Sequence, residues 1–164
     1  MISINLKKLE NKLNVKFKNI NLLVKSLTHK SKDSLNNNEK LEFLGDRVLG
    51  LIISKKLLEI YPDDKEGILD KKLASLVNKK KCFEVSKSLD LEKFILVGNS
   101  KKKQIKIENK IVSDCCEALI GAVFLDQGLD IAEKFILKIW KPHIKATIIT
   151  FIDAKTKLQE YSLK

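Results

Sequence analysis

The sequence predicts an all-α domain, on three observations. Apolar residues recur at three- and four-residue spacing along most of its length. Alternating strand-type runs are nearly absent, and six glycines and two prolines in 164 residues leave few turn signals. Two mostly apolar segments each carry a pair of carboxylates one helical turn apart. The length suits one domain with a real core, and no internal repeat is present.

In chain order, residues 2–13 place Ile2, Leu6, Leu9 and Leu13 on one helical face with lysines between them. Residues 17–26, with Ile20, Leu22, Leu23 and Val24, predict a second short helix. Thr28-His29-Lys30-Ser31 follows, then a polar loop through Asn36 and Asn37. The first acidic helix is expected from Glu39 to Ile60. Asn38 is placed to cap it through its side-chain oxygen, and Glu39 suits the positive end of the helix dipole. Tyr61-Pro62-Asp63-Asp64 stops it, because the residue before a proline disfavours α geometry.

A single helix is expected from residues 66–68 to about Ser88, with Leu69, Leu73, Leu76, Val77 and Phe83 as its apolar side. Residues 91–97 form an apolar run that periodicity does not assign. Gly98-Asn99-Ser100 opens a turn, and residues 101–110, with five lysines, read as an exposed loop. The second acidic helix covers about 111–126, with Ser113 as a cap and Gly128 as the left-handed stop. Residues 129–140 form a further helix, and Pro142 is expected to start a last one through about Phe151.

The acids on the two long helices need an explanation. Glu42 and Asp46 share a face, and so do Asp114 and Glu117. Leu41, Phe43, Leu44, Val48, Leu49, Leu51, Ile52 and Ile53 leave little of the first helix for water. A carboxylate in such a setting is costly unless it is paired or binds a metal. Four carboxylates facing one another would repel and raise each other's pKa. A hard divalent cation, magnesium or manganese, removes that penalty. The alternative is ion pairing with lysine or arginine. Arg47 is adjacent, but next-door residues on a helix point in different directions.

Composition narrows the function classes. The chain is 44% hydrophobic and 32% charged, so it is globular. Its net charge of +11 suits a polyanionic partner such as nucleic acid, or else reflects a lysine-rich solvated surface. An aromatic content of 6% argues against a base-stacking single-strand binder. The lysine runs at 79–81 and 101–103 are candidate phosphate contacts or simply solvated faces. Cys82, Cys115 and Cys116 form no disulfide framework and no zinc spacing, and the adjacent pair suits a core. His29 and His143 are too few for a His-Asp phosphohydrolase. Neither a signal peptide nor a membrane span is indicated, so a cytoplasmic protein is expected.

Asn38-Glu39-Lys40-Leu41-Glu42-Phe43-Leu44-Gly45-Asp46 closely resembles the signature of ribonuclease III nuclease domains, where the third residue is usually arginine. The segment from Ser26 to Ser31 resembles what precedes that signature. Ser113 and Asp114 through Asp126-Gln127-Gly128 resemble the family's second acidic helix, with alanine commoner than Ser113 and another apolar residue usual at Cys116. Glu66-Gly67 and Leu73-Ala74 also fall where expected, and Lys72 stands where arginine is common. The resemblance covers roughly residues 5–150 in the right order.

It implies a homodimeric helical nuclease domain over residues 1–150. Residues 151–164 resemble the start of a linker toward a double-stranded-RNA-binding domain, with that domain missing. The implied activity is magnesium-dependent hydrolysis of double-stranded RNA, with manganese able to substitute and no small-molecule cofactor or membrane involved. The ends would be 5′-phosphate and 3′-hydroxyl with two-nucleotide 3′ overhangs, in rRNA and mRNA precursor processing. The resemblance assigns Glu42, Asp46, Asp114 and Glu117 to metal binding and catalysis, with Asp46 and Glu117 as the leading direct ligands. It adds Glu39 to the catalytic set. His29, Lys30 and Glu66 become RNA-adjacent, and Phe43 becomes the dimer contact, its other reading being ordinary core. A non-catalytic relative would typically lose some of the four acids, and all four are present here.

Overall fold

A computed structural model describes residues 6–98 and 107–162, with side chains described up to residue 148. Among the described residues seven α-helices follow one another: α1 (Leu6–Leu13), α2 (Ile20–Leu27), α3 (Glu39–Ile60), α4 (Glu66–Leu76), α5 (Lys79–Ser88), α6 (Asn109–Gln127) and α7 (Leu129–Ser162). Among the described residues the β pairing is one isolated parallel bridge, Thr28 with Leu96. It settles the unassigned run after α5, which is a 3₁₀ turn at Leu91–Lys93 followed by that bridge. Leu96 N–H donates to Leu27 O at 2.8 Å, and His29 N–H donates to Leu96 O at 2.9 Å.

Helix α6 is the centre of the molecule, with α2, α3, α5 and α7 packed around it. Residues 112–123 are all buried, as a helix apolar all round requires. Side-chain bonds tie its neighbours to it: Ser86 Oγ on α5 donates to Val112 O at 3.0 Å, and Cys115 Sγ donates to Ser26 O of α2 at 3.6 Å. At its far end Asp126 accepts from the N–H groups of Lys18 and Asn19, both at 2.8 Å, and so pins the start of α2.

The closest approach is between α3 and α6. A Cβ at Gly45 would lie 1.7 Å from the Glu117 carbonyl oxygen, and one at Gly121 would lie 2.3 Å from that of Leu41. Each helix contributes a glycine where the other's backbone passes. The core side of α3 is Leu41, Val48, Leu49, Ile52, Ile53 and Leu57. Its other side is not interior as its composition suggests: Phe43, Leu51 and Leu58 are exposed.

Several boundaries differ from the sequence expectation, each for a local reason. The single helix expected from 66 to 88 is two helices. Leu76 ends α4, and Asn78 turns extended and accepts from Lys81 N–H at 3.0 Å, starting α5. Trp140 Nε1 donates to Leu76 O at 2.8 Å, using a carbonyl that the end of α4 leaves free. Pro142 does not start a helix but lies inside α7, which runs unbroken across it. Buried Trp140 and Ile144 on either side hold that helix against the core, so packing outweighs the proline's missing N–H.

Asn38 does not cap α3 with its side chain. It is itself nearly helical and buried, and Asn37 accepts from Glu39 N–H at 3.1 Å instead. Ser113 is not a cap either, because α6 begins at Asn109 and the Ser113 hydroxyl donates back to Lys110 O at 2.8 Å. Gly128 does stop α6 with φ +83°. Between α3 and α4, Lys72 is buried with its ammonium 3.1 Å from the centre of the Tyr61 ring, and it pairs with Asp64. The lysines at 101–103 lie outside the described residues.

Gly45→Ala should cost about 3 kcal/mol or more, because the clash is with backbone that cannot repack; urea unfolding checks this. Asn78→Ala should cost about 1 kcal/mol through loss of the α5 cap, seen as a lower midpoint with an unchanged m-value.

Candidate active site

The α3–α6 crossing brings three of the sequence-singled acids together. One carboxylate oxygen from each of Glu42, Asp114 and Glu117 lies within 4.8 Å of the others. Depth increases across the group: the side chains are 27%, 12% and 3% exposed in that order. The start of α5 supplies a fourth member. Lys79 Nζ donates to Asp114 Oδ1 at 2.6 Å, Glu117 Oε2 at 2.8 Å and Glu42 Oε1 at 3.0 Å. The other Glu117 oxygen accepts from Cys82 Sγ at 3.6 Å.

The electrostatics follow from burial. Burial pushes the Glu117 carboxyl above the usual carboxylate range; Lys79 opposes this, and the nearby Asp46 and Glu42 charges reinforce it. Burial also works against the Lys79 charge, but Asp114, Glu117 and Glu42 together outweigh it and hold the ammonium above the ordinary lysine range. The Cys82 thiol is pushed far up by Cys116 beside it and by burial, so it stays protonated.

Asp46 is not among the three converging acids. Its carboxylate is about half exposed and pairs with Arg47 Nη1 at 3.2 Å. The sequence reading set Arg47 aside as pointing elsewhere. The long side chain folds back along the helix, donates to Phe43 O at 2.9 Å and lies 3.8 Å over the centre of the Phe43 ring. Phe43 is 63% exposed, which excludes the reading in which it fills its own chain's core.

Glu39 accepts from Lys30 Nζ at 2.9 Å. Both line a hollow of about 420 Å³ beside the acids, together with His29, Glu42, Lys110 and Asp114. His29 is held by Ser31, whose hydroxyl is 2.8 Å from Nδ1. Glu66 is exposed on the first turn of α4, outside that hollow. His143 lies 3.7 Å from Glu84, and burial lowers its pKa.

Two residues of the site escaped the sequence reading. Lys79 was visible as part of a lysine run, but the break at Val77 and Asn78 that aims it at the acids was not. Lys110 was read as loop and is in α6. The donor set fits a metal: three carboxylate oxygens converge on a space that already takes one cation, and hard oxygen ligands suit a hard divalent ion.

The chain is similar to several known proteins. A family described as Ribonuclease-III-like matches residues 19–143. Ribonuclease 3 of Pelagibacter ubique is 69% identical over 157 residues, covering 96% of this chain and 71% of that protein. Ribonuclease 3 of Campylobacter jejuni subsp. jejuni is 42% identical over 160 residues, covering 95% and 71%. The crystal structure of the nuclease domain of ribonuclease III from Campylobacter jejuni has a TM-score of 0.79 at 41% identity, covering 85% of this chain and 95% of that one. A second structure of that domain, described for flexibility in a region involved in dimer formation, has a TM-score of 0.80. Dicer from Pichia stipitis has a TM-score of 0.62 at 26% identity, covering 82% of this chain and 60% of that one.

Proposed function

The chain belongs to the ribonuclease III family, and from that premise we propose that it is a double-strand-specific endoribonuclease. The observation that carries this reading is the convergence of Glu42, Asp114 and Glu117 on a cation-sized space. These three hold a magnesium ion, and manganese substitutes for it. Asp46, one turn from Glu42, joins them once Arg47 releases its carboxylate. A bound divalent ion lowers the pKa of attacking water and offsets charge on the leaving oxygen.

The remaining work falls to the chain's own side chains. The low exposure of Glu117 fixes its carboxylate, and the neighbouring Cys82 thiol holds one oxygen in place. His29, Lys30 and Lys110 face the hollow beside the acids, where a phosphate or 2′-hydroxyl of an A-form duplex would lie. Glu39 positions Lys30 by pairing with it. Glu66, at the exposed start of α4, lies at the edge of the RNA path. The products carry 5′-phosphate and 3′-hydroxyl ends with two-nucleotide 3′ overhangs, as needed in rRNA and mRNA precursor processing.

The active form is a homodimer. Phe43, Leu51 and Leu58 form an exposed apolar face on α3, and exposed apolar faces mark interfaces. A two-fold pair of sites matches the two antiparallel strands of a duplex. Residues 1–150 make up the nuclease domain. Residues 151–164 begin a linker toward an RNA-binding domain, and α7 carries helix through Ser162 of it. Among the described residues no helix is long and apolar enough to cross a membrane, and the proposed location is the cytoplasm.

Purified protein should shorten long duplex RNA with magnesium and leave it intact with EDTA. Glu117→Gln should reduce cleavage by about a hundredfold or more, since losing even an outer-shell partner of a metal site costs about 10–100-fold. Intact duplex at low salt and high protein concentration would reject activity for this chain. Phe43→Ala should shift light-scattering mass from dimer to monomer; a dimer of unchanged stability would place the interface elsewhere.

A further inference from the structure

Resting on the metal-site reading above, we infer that Lys79 is the internal counter-ion of the acidic cluster: it occupies the cation position until a divalent metal displaces it, and so it sets the protein's metal affinity.

The ammonium and a metal would draw on the same oxygens. The three carboxylates that meet within 4.8 Å each accept a bond from the same Nζ. A metal held by those oxygens takes the place the ammonium now fills, and two cations at that separation would repel strongly. Binding and displacement are therefore one event.

Three features make Lys79 a counter-ion that can leave. First, it is the first residue of α5, where the helix dipole disfavours a positive charge. Asn78 fixes the start of that helix independently, so α5 does not need Lys79 in the cluster. Second, its side chain is 51% exposed, whereas its deepest partner is 3% exposed. Third, a depression of about 310 Å³ beside α5, lined by Lys79, Lys80, Phe83, Asn109, Lys110 and Ser113, gives the displaced side chain room, with its ammonium turned out to water away from the other two lysines. Its neighbour Lys81 cannot take over, because it is paired with Glu84 at 2.7 Å.

The role also has a structural side. Without any cation, buried Glu117 would face Glu42 and Asp114 with nothing between them, and like charges so placed destabilise one another. Lys79 relieves that repulsion where the two helices cross.

The test is Mn²⁺ binding to the full chain, read by electron paramagnetic resonance of the free ion, in wild type, Lys79→Met, Lys79→Arg and Glu117→Gln. Lys79→Met should bind Mn²⁺ at least about tenfold more tightly than wild type, because three charge-assisted contacts no longer have to be broken and even one is worth that much. It should also melt lower than wild type without metal, with the gap closing as Mn²⁺ is added. Lys79→Arg should bind close to wild type. Equal or weaker binding by Lys79→Met overturns the inference. A measurement on wild type alone covers the case in which Lys79→Met does not fold. Reductive methylation of Lys79, read by mass spectrometry, should be faster with Mn²⁺ than without; an unchanged or slower rate overturns the inference. A Mn²⁺ site that Glu117→Gln leaves intact, or no saturable site in wild type, would overturn the metal-site reading itself.

Discussion

Gly45 and Gly121 let two helix backbones meet with no side chain between them. That contact sets the distance from the start of α3 to the middle of α6, and with it the spacing of Glu42 from Asp114 and Glu117. A methyl group at either position would drive the helices apart by more than a carboxylate cluster can tolerate. The rest of the architecture serves this crossing. Helices α2, α5 and α7 close around α6, and the bonds made by Ser86, Cys115 and Asp126 tie α5, α2 and the segment before α2 to it.

Such closeness has an electrostatic cost that the molecule offsets locally. Glu117 is nearly sealed, while Glu42 keeps contact with water. A charge as deep as Glu117 is tolerated only with a partner. Lys79 supplies that partner from a third helix, so neither acidic helix has to carry its own counter-ion. The hollow beside the cluster is lined by acids, Glu39, Glu42, Glu108 and Asp114, with Lys30, Lys110 and His29 among them as the groups that suit an anionic polymer.

Much of this was legible from residues alone. The acids stood out because carboxylates at one-turn spacing in apolar helices have no ordinary use, and α3 was bounded correctly by Pro62 and Glu39. The errors cluster where a distant residue decides. Residues 66–88 read as one helix because their apolar spacing barely changes across Val77 and Asn78; the break is stabilised by Trp140, sixty-four positions away. Pro142 read as a start because local propensity says so, whereas the burial of Trp140 keeps α7 continuous. Asn38 read as a cap because its type is right, yet Asn37 does the capping. Lys79 was hidden for the same reason as the α4–α5 break: its direction depends on where α5 begins.

The burial of residues 112–123 bears on how the domain comes apart. Amide groups in the central helix can exchange with solvent only when its surrounding helices have let go, which places α6 at the high end of the opening free energies in a domain. Two of the three acids sit on that segment. Short α1 at the chain's start can fray, and the loop before α3 can rearrange, while the carboxylates keep their places. The site is therefore lost at about the same point as the fold itself, and a partly opened population of this domain would still present it.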